Sequence, residues 1–175
     1  MTYDDVVASA AKQFDWLLQA PNFDGEAGSL SVAGSTITLT RSTVKLIAEV
    51  LEPQSFGYQV TSYDNPKGNN DYRYLALHPS AAAASARFLV VQFPLLSDGQ
   101  AIPVDEVAVG NVLGVKAVDG TKVDLVLFST DGAAVDEYVE LGGSYAAADG
   151  GSYQFEATGV RAQFDVYEVM RLVQQ

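Results

Sequence analysis

The chain is punctuated by Asp-Gly, and between the punctuation marks apolar and polar residues alternate with a period of two. VLGVKAV (Val112 to Val118) and KVDLVLFS (Lys122 to Ser129) flank Asp119-Gly120-Thr121. Asp and Gly both tolerate positive φ, so this dipeptide between two alternating runs is among the better local hairpin signals. Asp98-Gly99, Asp131-Gly132 and Asp149-Gly150 repeat the chemistry. A period of two sends every second side chain to one face, which suits a sheet buried on one side and not a helix of period 3.6.

The same alternation runs through STITLT (Ser35 to Thr40), TVKLIAEV (Thr43 to Val50), YRYLALH (Tyr72 to His78), SYQFEATG (Ser152 to Gly159) and QFDVYEVMRLV (Gln163 to Val173). RFLVVQFPLL (Arg87 to Leu96) is apolar almost throughout, the pattern of a strand covered on both faces. About ten short strands are expected, in an all-β antiparallel sandwich or jelly roll with room for one short helix near the N-terminus or at residues 80–86. The N-terminal stretch reads two ways. Tyr3, Val6, Val7, Ala10, Phe14, Leu17 and Leu18 have helical spacing, with Thr2 and Asp5 placed as a capping box, whereas Phe14, Trp16 and Leu18 alternate as in a strand. With no internal repeat and no low-complexity linker, residues 1–175 are expected to form one domain, part of a larger multidomain protein.

Ten Lys and Arg against 22 Asp and Glu leave a formal charge of −12. A field of that sign repels phosphate backbones, which argues against nucleic acid as a partner. No apolar run approaches the roughly 20 residues that cross a bilayer, and no signal peptide opens the chain. The expectation is a soluble chain with no membrane partner, its compartment unknown. The absence of Cys removes thiol nucleophiles and zinc–thiolate sites. There is no Gly-x-Ser-x-Gly, and the one histidine, His78, precedes Pro79 at the end of an expected strand, where a structural or surface role is the simpler reading.

The loop from Ser62 to Asp71 has oxygen ligands for calcium but not the spacing of an EF-hand, and reads as a solvated turn. Among 22 acidic residues, neighbours such as Asp4-Asp5 and Asp105-Glu106 arise by chance. Tyr58, Tyr63, Tyr72 and Tyr74 bracket the polar loop, and aromatic faces of this kind can stack on sugar rings. Tyr72 and Tyr74, with Trp16, are the candidate substrate-binding residues, although Trp16 sits among apolar neighbours as a core residue would. No catalytic residue is assigned.

Four longer stretches carry a resemblance. YDDVVASAAKQFDWLLQAP, VKLIAEVLEP, RFLVVQFPLLSDGQAIP and GVKAVDGTKVDLVLFS resemble, in order and phrasing, segments of the β-sandwich region of heparinase II/III-like polysaccharide lyases. The likeness runs from Tyr3 to about Met170. It implies a parent with an α/α-toroid that holds most catalytic residues, followed by a sandwich. It also implies cleavage of a uronic-acid polysaccharide by proton abstraction and β-elimination. None of the toroid is in this chain.

The resemblance favours the strand reading at the N-terminus. Tyr3-Asp4 would end one strand, and Phe14 to Leu18 would be its partner. Some members hold zinc in the sandwich through His and Asp. Asp4 matches the acidic position, but Gln19 stands where the histidine is expected, and an amide is a far weaker zinc ligand, so no cofactor is expected here.

The leading expectation is a non-catalytic sandwich that packs against the missing catalytic domain and lines the cleft for the polysaccharide. A free-standing carbohydrate-binding module and a structural or interaction domain are the alternatives. A homo-dimer through exposed edge strands would fit any of them.

Overall fold

The computed structural model describes residues 1–20, 28–64 and 71–175, and among them every regular element is a β-strand and every strand pairing is antiparallel. The chain divides into two compact units, Met1–Ala101 and Ile102–Gln175, where the sequence alone suggested one domain.

Unit 1 contains β1 (Thr2–Lys12), β2 (Trp16–Ala20), β3 (Ser29–Ala33), β4 (Thr36–Thr40), β5 (Val44–Glu52), β6 (Phe56–Asp64), β7 (Asp71–Pro79) and β8 (Ala83–Leu96). They form a five-stranded sheet, β1-β8-β5-β4-β3, and a three-stranded sheet, β2-β7-β6. Leu18, Leu75 and Leu77 of the smaller sheet share one buried cluster with Ile37, Ala48, Val50, Phe88 and Val90 of the larger, so the two sheets pack face to face as a sandwich.

Three extended segments pass from one sheet to the other through corners of three residues each, at 13–15, 53–55 and 80–82. Pairing continues on both sides of the corners: β1 with β8 and β2 with β7, β5 with β8 and β6 with β7. The corners are tied together. Gln13 Nε2 donates to Pro79 O at 3.2 Å, Ser80 N to Ser55 O at 3.3 Å, and the hydroxyls of Ser55 and Ser80 lie 2.7 Å apart. This wrap of paired arms is jelly-roll-like.

The one short helix expected near the N-terminus or at residues 80–86 is found at neither place. Residues 2–12 form β1, whose helical spacing has no apolar face to bury, since most of its side chains are exposed on a sheet edge. Residues 83–86 open β8. The strand pairing implied by the resemblance is also corrected: β1 and β2 are neighbours in the chain but lie in different sheets, because the corner at 13–15 turns the chain across the sandwich. The apolar run in β8 behaves as its composition requires, with Phe88, Leu89, Val90 and Val91 all buried.

Unit 2 contains β9 (Val104–Val109), β10 (Val112–Asp119), β11 (Lys122–Ser129), β12 (Val135–Glu140), β13 (Tyr145–Ala147), β14 (Gln154–Glu156), β15 (Gly159–Phe164) and β16 (Tyr167–Gln174). The sheets are β13-β16-β11-β10-β9 and β12-β15-β14, packed around Leu125, Leu127, Val139, Val160, Met170 and Leu172. The β10–β11 hairpin turns at the Asp-Gly pair marked by the sequence, where Gly120 has φ +60° and Asp119 faces Lys122. Gly132 and Gly150 also adopt positive φ, while Gly99 does not.

The two units share one spatial layout under a different chain order. Setting β9 to β12 against β3 to β6, and β15–β16 against β7–β8, leaves β13–β14 opposite β1–β2. Every pairing of unit 1 then has its counterpart, including β1-β8 with β13-β16 and β2-β7 with β14-β15. The arm that opens unit 1 is inserted in unit 2 between its fourth strand and its last pair.

Candidate functional site

The outer face of the sheet β2-β7-β6 in unit 1 carries the arrangement best suited to holding a ligand. Side chains alternate across a strand, so the leucines that face the core leave the intervening residues pointing outward. Pairing register then sets them in rows. Gln19, Tyr74 and Thr61 form one row across the three strands, Leu17, Ala76 and Gln59 the next, and Tyr72 and Tyr63 the one beyond Tyr74. These residues, with Asp15, line a groove of about 500 Å³, Tyr72 excepted.

The Tyr63 ring stacks on Tyr72 at 5.5 Å and 28° and meets Tyr74 at 5.9 Å, tilted by 52°. Tyr72 is 8% exposed against 42% for Tyr63. Tyr72 therefore backs the Tyr63 ring, while Tyr63 and Tyr74 present theirs to the groove. Offset aromatic pairs add about 0.5–1.5 kcal/mol beyond burial, which holds the exposed ring in place before any ligand arrives. Amide and hydroxyl groups of Gln19, Gln59 and Thr61 supply donors and acceptors beside the rings. The lining thus combines ring faces, neutral hydrogen-bonding groups and one carboxylate, Asp15.

The structure brings Tyr72 and Tyr74 together and separates them from Trp16. Trp16 shares its strand face with the buried Leu18 and packs against the unit 1 core, so it belongs to the interior. Tyr63 was visible in the sequence only as a neighbour of the polar loop. Its role follows from the β6–β7 hairpin, which sets it opposite Tyr72.

The two residues considered for metal lie in different sheets. Asp4 is exposed on β1 opposite Phe88, whereas Gln19 lines the tyrosine groove on β2. Among the described residues no group of three or more His, Cys, Asp and Glu is placed to hold a metal ion. Of the loop considered for calcium, Ser62 to Asp71, the first three residues end β6 and Asp71 opens β7, while residues 65–70 lie outside the described residues. The neighbouring carboxylates lie on strands, where successive side chains point to opposite faces and cannot share a proton. Asp5 instead pairs with Arg87 at 3.1 Å and Asp105 with Lys116 at 3.3 Å.

His78 is part-buried, with Nδ1 3.1 Å from Pro79 O. Its ring lies over Gly57, where a Cβ would come within 3.1 Å of Nε2 and closer still to Cε1. The glycine makes room for the ring, a structural use of the histidine. Two of the carboxylates with lowered pKa in unit 2 serve turns. Asp131 is held below the usual range first by the Ala133 N–H, at 2.9 Å, and then by the Asn111 amide, at 3.0 Å. Asp149 is lowered first by the Tyr153 hydroxyl, at 2.7 Å, and then by the Gly151 N–H. Comparison with protein-family models, curated proteins and solved structures finds no match to the chain.

Proposed function

We propose that the chain is a non-catalytic β-sandwich portion of a heparinase II/III-like polysaccharide lyase, contributing the outer face of β2-β7-β6 as one wall of a cleft for a uronic-acid polysaccharide. The observation that carries this reading is the groove itself, with Tyr63 and Tyr74 presented beside Gln19, Gln59 and Thr61. Because the groove is built wholly from unit 1, it also supports a second reading, a carbohydrate-binding module that acts without a catalytic partner.

Affinity electrophoresis of the 175-residue chain through gels containing alginate, heparin or hyaluronan tests both. Retardation by one of the three is expected, weakened about five- to tenfold by Tyr74→Ala, as for an aromatic anchor worth somewhat more than 1 kcal/mol. With a chain charge of −12, added salt should strengthen the binding of a uronate polymer by screening repulsion. Retardation unchanged in a Tyr63→Ala/Tyr74→Ala double variant would remove the groove from the account. Growth of the ultraviolet absorbance of unsaturated uronate, with this chain alone, would overturn its non-catalytic character.

A further inference from the structure

We infer that, of the Asp-Gly dipeptides in the described residues, Asp119-Gly120 is the one at which the chain spontaneously converts aspartate to isoaspartate. The chemistry is internal to the dipeptide. The glycine nitrogen bonds to the aspartate Cγ, the nitrogen's proton and the Cγ hydroxyl leave as water, and a five-membered imide closes. Water then adds at one of the two imide carbonyls. One opening restores aspartate, and the other routes the main chain through the side-chain carbon. Glycine favours the ring because it puts no Cβ in the way.

Three of the four described dipeptides are restrained. At Asp131, Oδ1 accepts from Ala133 N at 2.9 Å, Asn111 Nδ2 at 3.0 Å and Ser129 Oγ at 3.1 Å. At Asp149, Oδ2 accepts from the Tyr153 hydroxyl at 2.7 Å and Oδ1 from Gly151 N at 2.8 Å. In both, the carboxylate is drawn to the N–H two residues on, away from the glycine nitrogen that would attack it. These bonds also favour the ionised form, which is the poorer electrophile because ring closure must expel its oxygen. At Asp98 the nucleophile is held instead, as Gly99 N donates to Leu96 O at 3.0 Å.

Asp119-Gly120 carries neither restraint. Among the described residues the Asp119 carboxylate makes no hydrogen bond or ion pair, and the Gly120 nitrogen donates to nothing. Both residues are exposed at the β10–β11 turn, and a Cβ on Gly120 would meet nothing within 4 Å. Ring closure requires Asp119 to leave its extended conformation, and Asp119–Lys122 is the last pair of the hairpin, where fraying begins. The other tie at this turn, Gln174 N to Thr121 O at 2.7 Å, involves neither reacting atom. The product lengthens the main chain by one carbon between two inner strands of the larger unit 2 sheet. The site is independent of the glycan reading.

The test is to age the purified chain for several weeks in warm neutral buffer, digest it with trypsin, and quantify isoaspartate by electron-transfer mass spectrometry. Cleavage after Lys116 and Lys122 puts Asp119 in a peptide of its own, 117–122. Asp98 falls in 88–116, and Asp131 and Asp149 in 123–161. Asp24-Gly25, outside the described residues, falls in 13–41 and is scored apart. Isoaspartate at Asp119 is expected at several times the level at each of the other three. The difference should vanish in a chain aged unfolded in guanidinium chloride, since all four share the same following residue. Tyr153→Phe should raise isoaspartate at Asp149 severalfold and leave Asp119 as it was. Equal levels in the folded chain, a maximum at Asp98, Asp131 or Asp149, none at Asp119, or the same preference in denaturant would each overturn the proposal. So would an unchanged Asp149 in Tyr153→Phe, since the hydrogen bonds would then not be what protects.

Discussion

Replacing Glu168 by Gln tests whether a carboxylate at the edge of the unit 2 core strains the fold at neutral pH. Glu168 lies on β16, on the same strand face as Met170 and Leu172, both of which are buried in the core cluster. Its Oε2 is buried without a hydrogen-bond partner. Burial raises its pKa above the ordinary 4.5, and the Gln163 N–H pulls weakly the other way. A carboxyl group that holds its proton more tightly when folded stabilises the native state fully below the unfolded pKa. That contribution fades as pH rises from about 4.5 through the folded value.

A buried polar atom without a partner costs about 1–3 kcal/mol, more when it carries charge, and Glu168→Gln leaves the position unpartnered but removes the charge. The side chain is only part-buried, so the lower end, about 1 kcal/mol, is the expected gain for Glu168→Gln at pH 8. In a unit the size of Ile102–Gln175 that corresponds to a rise in Tm of about 4–8 °C. The amide oxygen still accepts from Gln163, so the gain should shrink toward zero at pH 4, where the native carboxyl is itself neutral. Scanning calorimetry of both proteins from pH 4 to pH 8 separates the outcomes. A gain of equal size at both ends, or none at pH 8, would refute the reasoning.

Leu77→Ala should destabilise the protein by about 2–5 kcal/mol, because Leu77 is fully buried between Trp16 on β2 and Tyr58 on β6. Urea unfolding should show a lower midpoint at unchanged slope. Gly120→Val should cost about 1–3 kcal/mol through the backbone alone, since a Cβ there meets nothing within 4 Å and only the φ of +60° objects. Asn at the same position should cost less, as it tolerates that conformation, and thermal melts of the two variants should differ accordingly.

Most strands were legible because one sheet face is buried, and burial on one face writes a period of two into the sequence. The N-terminal stretch was ambiguous because β1 buries little, so its apolar residues carry no consistent period. SAAAASA was unreadable for a related reason: alanine fits either element, and pairing with β1 decided for the strand. Among the described residues sixteen strands appear in place of about ten: β13, with three residues, is too short to show a period, and the longer β3, β6, β9 and β12 were also missing from the expected set. The division at Ala101 was hidden because SDGQAIP resembles any other turn.

At the groove, Tyr72 and Tyr74 were visible by their spacing of two. That spacing fixes a shared face but not which face, nor which ring a neighbour covers.

The repeated layout with its relocated arm has a consequence for the order in which the two units can close as the chain is synthesised. In unit 1, β1 must wait for β8, with Thr2 joining Val90, so this arm stays unpartnered until nearly the whole unit has emerged. In unit 2 the equivalent arm finds its strand soon after it is made, as Ala147 joins Leu172. Closing the longer loop costs more entropy and lowers the rate. Unit 2, although made second, is expected to complete its sandwich by the shorter search, and the exposed β1 arm is the segment most open to a chaperone or a neighbouring chain in the interval.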